Sequence, residues 1–138
     1  MNDDPLASLP GYALRRATNA MMAELSARLA TMGLRITDAS LLMLVQDRRD
    51  VTSSDIGRVL DIKRANMVPL LNRLEAKGLI VRQPLDGKSS AIVLSTKGTR
   101  VLERVRAITA SFEHDLLQRI PAEHRPHFLP SLNALWRG

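Results

Sequence analysis

The chain has 138 residues, with 20 lysines and arginines against 14 aspartates and glutamates, and no cysteine. That length supports one domain with a real core, and a formal charge of +6 favours a polyanionic partner. The lack of cysteine excludes a disulfide framework, a thiol redox sensor and a thiolate zinc site. Aromatics make up 3% of the residues while Leu, Ala, Val, Ile and Met are plentiful, which suits packed helices more than a sheet. No apolar run approaches bilayer length, and the opening MNDDPLASLPGY lacks the form of a signal peptide, so a cytoplasmic protein without membrane contact is expected.

Residues 1–8 read as a frayed tail. From there Leu14, Thr18, Met21, Met22, Leu25, Leu29 and Met32 recur at steps of three and four, one stripe of a helix that Gly33 ends as its C′ residue. Thr37 is placed to cap a second helix carrying Leu41, Leu42, Leu44 and Val45. Residues 52–60 form a short helix capped by Thr52, with Asp55 in its first turn, and Asp61-Ile62 makes the turn that follows. A helix over about 63–77, an apolar strand at 79–82, a tip at 84–88 and a returning strand at 91–94 complete a helix-turn-helix with a wing. Asp86-Gly87 is the two-residue turn signal of that hairpin. Beyond it, Ser95 or Thr96 caps a long helix striped with Val101, Leu102, Val105, Ile108, Phe112, Leu116 and Ile120, which Pro121 breaks. A last helical pattern surrounds Phe128, Leu132, Leu135 and Trp136, its start blurred by Pro126 and Pro130.

The expected fold is mainly α with a small two- to three-stranded β-wing. Residues 1–36 would supply an N-terminal dimerisation helix, 37–98 the winged helix-turn-helix and 99–138 the C-terminal dimerisation helices. The two flanking stripes exceed what one chain of this size buries, so a symmetric homodimer is the economical solution; stripes folded back on the module are the alternative.

Residues 52–98 hold eight basic and four acidic side chains, whereas residues 1–51 hold six of each, so the excess charge collects on the winged module. On a helical wheel Met67, Leu70, Leu71 and Leu74 share the core face. Ala65, Pro69, Asn72 and Ala76 lie opposite, flanked by Asn66, Val68 and Arg73. Small apolar groups suit thymine methyls and Asn66 or Asn72 suits adenine edges, so this face fits reading of double-stranded DNA in the major groove. Lys63 and Arg64 lead that helix towards phosphates or guanine. Ser53 and Ser54, with the free N–H groups of their helix start, offer a further phosphate site. At the wing, Lys88 is placed for the minor groove and Ser89 and Ser90 for the backbone. Pro69 implies either a late helix start near Asn66 or a bend.

At these residues a resemblance becomes specific. The runs Asp55-Ile-Gly-Arg-Val-Leu, Leu70-Leu-Asn-Arg-Leu-Glu-Ala-Lys-Gly-Leu-Ile-Val-Arg, Pro84-Leu-Asp-Gly-Lys and Val93-Leu-Ser-Thr-Lys-Gly resemble the MarR family of bacterial winged-helix regulators. The resemblance covers nearly the whole chain. It implies a homodimer that represses a gene from a pseudo-palindromic operator and leaves the DNA when a small aromatic anion binds. It further implies that Arg73 serves the recognition helix and that Asp86 pairs within the module. Three positions depart from the family pattern: Lys88 replaces a wing arginine, Pro69 a polar or basic DNA contact, and Lys63 a small capping residue.

Ligands of that family sit between the dimerisation helices and the DNA-binding module. Here that junction would take Tyr12, Arg15, Arg16, Asn19 and Met22 from the first helix, Ser40 and Met43 from the second, and Phe112 and His114 from the long one. Methionines with Arg16 as an anion clamp suit a phenolic carboxylate or its acyl-CoA-type thioester. Such a ligand would act by favouring a dimer whose half-sites no longer match roughly 34 Å, one turn of B-DNA.

Other classes fare worse. His114, His124 and His127 come without a nucleophile motif, and His124 and His127 lack an acidic or thiolate partner for a metal. No phosphate loop appears. Neither enzymatic activity, a metal nor a cofactor is expected. A DNA-binding regulator without an effector, or a winged helix used for protein–protein contact, stay open as alternatives.

Overall fold

The computed structural model describes residues 3–137. Among them the apolar periodicities become α1 (Pro10–Ala30), α2 (Ile36–Val45), α3 (Ser53–Leu60), α4 (Arg64–Ala76), strands β1 (Ile80–Pro84) and β2 (Ser90–Leu94), and α5 (Thr96–Gln118). A 3₁₀ turn (Ala122–His124) and α6 (Arg125–Trp136) follow. The architecture is mainly α with a small β-wing, as the sequence implies. No helix among the described residues is long and apolar enough to cross a membrane.

The hub is α2, which packs on α1, α3, α4, α5 and β2. Its Ala39, Leu41, Leu42 and Val45 are buried. Leu29, Ile56, Leu74, Ile80, Leu102 and Val105 close around them in one cluster. Burial of each such Leu or Ile is worth roughly 1.5–3 kcal/mol, so this cluster fixes the winged module to the end of α1 and the start of α5.

The predicted stripe on α1 divides in two. Leu29 is buried and Leu25 and Met32 pack on the core, while Leu14 and Met22 are 41% and 49% exposed. At the other end of the chain α6 packs on the 3₁₀ turn, and its Leu129, Leu135 and Trp136 stay 63%, 69% and 70% exposed. Arg125 joins α6 to α5: its Nε donates to the carbonyls of Leu117 and Ile120 at 3.0 and 2.9 Å, closing the open end of the long helix.

Several local expectations need correction. Thr37 does not cap α2. The helix begins at Ile36, and the Asp38 carboxylate accepts the Arg35 N–H at 2.8 Å, so the cap is carried from the third helical position. The tail is not frayed over its described part, because Asp4 accepts the Leu6 N–H at 3.0 Å and pairs with Arg16 at 2.6 Å; residues 1 and 2 lie outside the described residues. Gly33 does adopt the left-handed conformation (φ 70°), but two residues beyond the C-cap Thr31. The hairpin's last pair is Pro84↔Ser90, so residues 85–89 form a wider loop around Gly87 (φ 75°) where a two-residue turn is expected. The third strand reduces to one bridge, Thr52↔Ala91. Pro69 lies inside α4, which starts at Arg64, and this excludes the late start.

Thr52 and Ser95 cap as expected. Thr52 Oγ1 accepts the Asp55 N–H at 3.2 Å while Asp55 accepts the Thr52 N–H at 2.9 Å, a reciprocal box at the start of α3. Replacing Thr52 by Ala is expected to cost about 1 kcal/mol in urea unfolding. The Thr52 N–H, followed by its hydroxyl, holds the Asp55 carboxyl below the usual carboxylate range. A folded value below the unfolded one means this contribution is complete at neutral pH and fades as the pH falls through the folded value. The stability gap between wild type and Asp55→Asn should therefore shrink between pH 7 and the acid limb. A gap that stays constant would remove the carboxylate from this role.

Candidate nucleic-acid interface

Three elements enclose an open groove of about 750 Å³: the N-terminus of α3, the outer side of α4 and the wing. Ser53 and Ser54 line it from α3, Arg64 and Val68 from α4, and Lys88, Ser89 and Ser90 from the wing. Seven of the residues singled out in the sequence thus converge on one concavity. The helix-turn-helix makes this possible through Gly57. A Cβ there would meet the Ile62 carbonyl oxygen at 2.9 Å, so only glycine lets the turn fold this tightly against α3. Asp61 takes the left-handed conformation (φ 54°) that reverses the chain.

Arg58 and Arg82 also line the groove, and sequence reasoning missed both. Arg58 projects from the last turn of α3 with its side chain 74% exposed. Arg82 belongs to β1, opposite Ile92, and its direction depends on a register that no local pattern reveals. The lining therefore holds four cationic side chains and no carboxylate. Arg58 and Arg82 are partly offset by Asp55 and Glu75, each 3.5 Å away, so the excess positive charge facing an anionic rod such as a nucleic-acid backbone comes chiefly from Arg64 and Lys88.

The remaining DNA candidates fall elsewhere. Lys63, Asn66, Pro69 and Asn72 are exposed along α4 beside the groove. Lys63 is the N-cap but makes no side-chain cap bond, which agrees with its departure from a small capping residue. Arg73 is not at the reading face. Its Nη2 donates to Asp38 Oδ1 at 2.5 Å, and Asp38 is fully buried, so this arginine points inward and fastens α4 to α2. Asp86 is exposed and makes no ion pair among the described residues, so the pairing expected within the module is absent there.

The nine residues of the expected ligand set are spread over α1, α2 and α5. Tyr12, Arg15, Arg16, Asn19 and Met22 lie along the exposed part of α1, where the Arg16 guanidinium sits 5.9 Å from the Tyr12 ring centroid. Ser40 and Met43 are half-buried in α2, and the Thr109 hydroxyl meets the Met43 sulfur at 4.0 Å. Phe112 is buried beneath Arg28, 5.5 Å from its ring, and His114 is exposed. Neither the groove nor a second cavity of about 530 Å³ between α2 and α3 touches any of these nine residues. Among the described residues no group of acidic and histidine side chains is arranged to hold a metal.

Comparison with known proteins places this geometry. The family model described as MarR family matches residues 32–89. A putative transcriptional regulatory protein for the hcr operon of Thauera aromatica is 25% identical over 92% of this chain and 78% of its own length. The HTH-type transcriptional repressor Rv2887 of Mycobacterium tuberculosis is 25% identical over 97% of this chain and 95% of its own. Among solved structures, the transcriptional repressor CouR is 28% identical with a TM-score of 0.86, covering 99% of this chain and 98% of that one. The complex of Rv2887 with DNA superposes at a TM-score of 0.78 over 94% of this chain and 98% of that one, at 23% identity. Rv2887 has also been solved with salicylic acid, at a TM-score of 0.73 and 24% identity over 98% of this chain and 99% of that one. These relatives are named as regulators or repressors. The chain thus shares the fold of these winged-helix regulators over nearly its whole length, and its residues 32–89 match the MarR family model.

Proposed function

We propose that the protein is a homodimeric, sequence-specific DNA-binding repressor whose operator is pseudo-palindromic double-stranded DNA. The single observation that carries this reading is the groove: four cations, four serines and no carboxylate between α3, α4 and the wing. In this reading the N–H groups at the start of α3 and the Ser53 and Ser54 hydroxyls hold phosphate, Arg64 leads α4 into the major groove, and Lys88 reaches the minor groove. Exposed Lys63, Asn66, Val68, Pro69 and Asn72 form the face towards the bases.

The test is fluorescence anisotropy of a labelled duplex from upstream of the protein's own gene, against a shuffled duplex of equal composition at near-physiological salt. Specific binding is expected, and each of Arg64→Ala and Lys88→Ala should lower the salt slope by about one unit. Equal weak binding to both duplexes would move the winged helix towards protein contact.

The dimer rests on the apolar side chains left uncovered on α1 and α6, which a second copy would bury. Leu135→Glu combined with Trp136→Glu is expected to convert a dimer to a monomer in sedimentation at micromolar concentration. A dimer that persists would place the interface elsewhere.

The effector reading assigns a small aromatic anion, a phenolic acid or its thioester, to the junction of α1, α2 and α5 of the assembled dimer. Its support is the Arg16–Tyr12 pair on an exposed helix, where a ligand carboxylate would take the place of Asp4 on Arg16, together with the complex of Rv2887 with salicylic acid. Titrating aromatic carboxylates into the protein–DNA complex tests it. Release of DNA by wild type but not by Arg16→Ala is expected, and binding that no compound reverses would leave a regulator without an effector.

A further inference from the structure

The wing reaches back to the recognition helix through Arg82. From β1 its Nη2 donates to Asn72 Oδ1 at 3.0 Å, and its Nε lies 3.5 Å from Glu75 Oε2. Asn72 and Glu75 are three positions apart on α4 and so share a face. The guanidinium is thus held between a carboxamide and a carboxylate of the same helix, with its charge partly neutralised by Glu75. Such an arginine is poorly suited to serve mainly as a phosphate clamp. It is well suited to orient Asn72.

Donor and acceptor chemistry fixes that orientation. A guanidinium has five N–H donors and no acceptor, so the side of the Asn72 amide facing Arg82 must be its oxygen. The amide NH₂ is then turned away from Arg82, on the exposed side of α4. An asparagine reads adenine by using both ends at once: its oxygen accepts from N6–H and its NH₂ donates to N7. Arg82 occupies one of the two lone pairs of that oxygen and competes with an adenine N6–H for the acceptor, while both N–H donors of the amide stay free for a base. Acceptor-only edges in the major groove are O6 with N7 of guanine and O4 of thymine, and guanine offers the two together.

We propose that Arg82 is a specificity-determining, positioning residue: by holding the Asn72 carbonyl it makes Asn72 a hydrogen-bond donor to guanine and disfavours adenine at that base pair. This rests on the reading of α4 as the DNA-reading helix.

The experiment is selection of bound sites from a random-sequence duplex library by the full-length protein, for wild type, Arg82→Ala, Asn72→Ala and Asn72→Asp. All four base pairs at the affected position are then ranked by competition anisotropy, with thermal melting to confirm that each variant is folded. Wild type is expected to favour guanine over adenine there by about tenfold, a usual discrimination for one good base contact. In Arg82→Ala the freed amide should shift the preference at that one position towards adenine, leaving the other positions unchanged. Asn72→Asp, an acceptor only, should lose the guanine preference, and Asn72→Ala should flatten the position and make a second change at Arg82 silent in the profile.

A uniform loss of affinity in Arg82→Ala with an unchanged base profile would overturn the inference, since it is the result a phosphate contact gives. Adenine preferred by wild type at the Asn72-dependent position would overturn it as well. If wild type selects no sequence at all, the DNA reading itself falls and takes this inference with it.

Discussion

Replacing Arg73 by Met is expected to destabilise the fold by about 3–5 kcal/mol, the range for removing one partner of a buried ion pair. Asp38 has no exposed surface, and its two oxygens are engaged by Arg73 Nη2 at 2.5 Å and by the Arg35 N–H at 2.8 Å. Without the guanidinium, a buried carboxylate keeps one neutral partner. The arginine side chain is 27% exposed, so solvent screens part of the loss and the lower end of the range is the expected one. Its Nε is buried without a hydrogen-bond partner among the described residues, so the pair is itself imperfectly satisfied. Replacing both residues, Asp38→Leu with Arg73→Met, should therefore recover most of the deficit, because two apolar groups leave no orphaned charge. Urea unfolding of the two single variants and the double variant measures this as a coupling energy. Single variants within about 1 kcal/mol of wild type would show that the pair is not a support.

The same pair separates support from contact at the DNA. If Arg73 acts only by holding α4 against α2, Arg73→Met should weaken binding without changing its salt dependence. A residue that neutralises a phosphate would lower that slope by about one unit. The orientation of α4 thus depends on a carboxylate 35 positions earlier in the chain.

That long-range dependence marks where legibility in the sequence ends. The helix-turn-helix and wing were readable because their signals are local: the Thr52 and Ser95 caps, the core face Met67, Leu70, Leu71 and Leu74, and Gly87 at the wing tip. Lys88, Ser89, Ser90, Ser53 and Arg64 reached one groove because those elements set their directions. Arg73 was misplaced because a helical wheel gives an azimuth but not what lies across it, and the flank position turned out to face Asp38. Arg82 was overlooked because its reach to Asn72 needs the hairpin register and the wing's angle to α4. Thr37 lost the cap for a related reason. Asp38, already drawn inward by Arg73, also meets the Arg35 N–H. The stripe on α1 was legible as apolar, but its division between core and open surface depends on how far α5 runs beside it.

Gly98→Ala should destabilise the protein by about 3 kcal/mol, although helix propensity alone predicts the opposite sign. Gly98 lies in the first turn of α5, where alanine normally gains up to about 1 kcal/mol over glycine. Here the Leu79 backbone crosses directly over it. A Cβ would come within 3.0 Å of the Leu79 carbonyl carbon and nearer still to its oxygen. That carbonyl cannot simply move aside. It accepts the Ser95 N–H at 3.0 Å, while the Leu79 N–H donates to the Leu74 carbonyl at 3.0 Å, tying the spot to both α5 and the end of α4. Leu79 itself is 3% exposed and part of the core. Relief of the clash must therefore lift α5 away from the base of the wing, loosening the Ser95 cap and tilting the hairpin that carries Arg82 and Lys88. Gly11→Ala is the matched control, because a Cβ there meets nothing within 4 Å. Urea midpoints for the two variants should move in opposite directions, Gly11→Ala slightly up and Gly98→Ala clearly down, with DNA affinity reduced only in the second. A rise in both midpoints would mean that α5 can stand off from Leu79 at no cost, and that the wing is not clamped at its base.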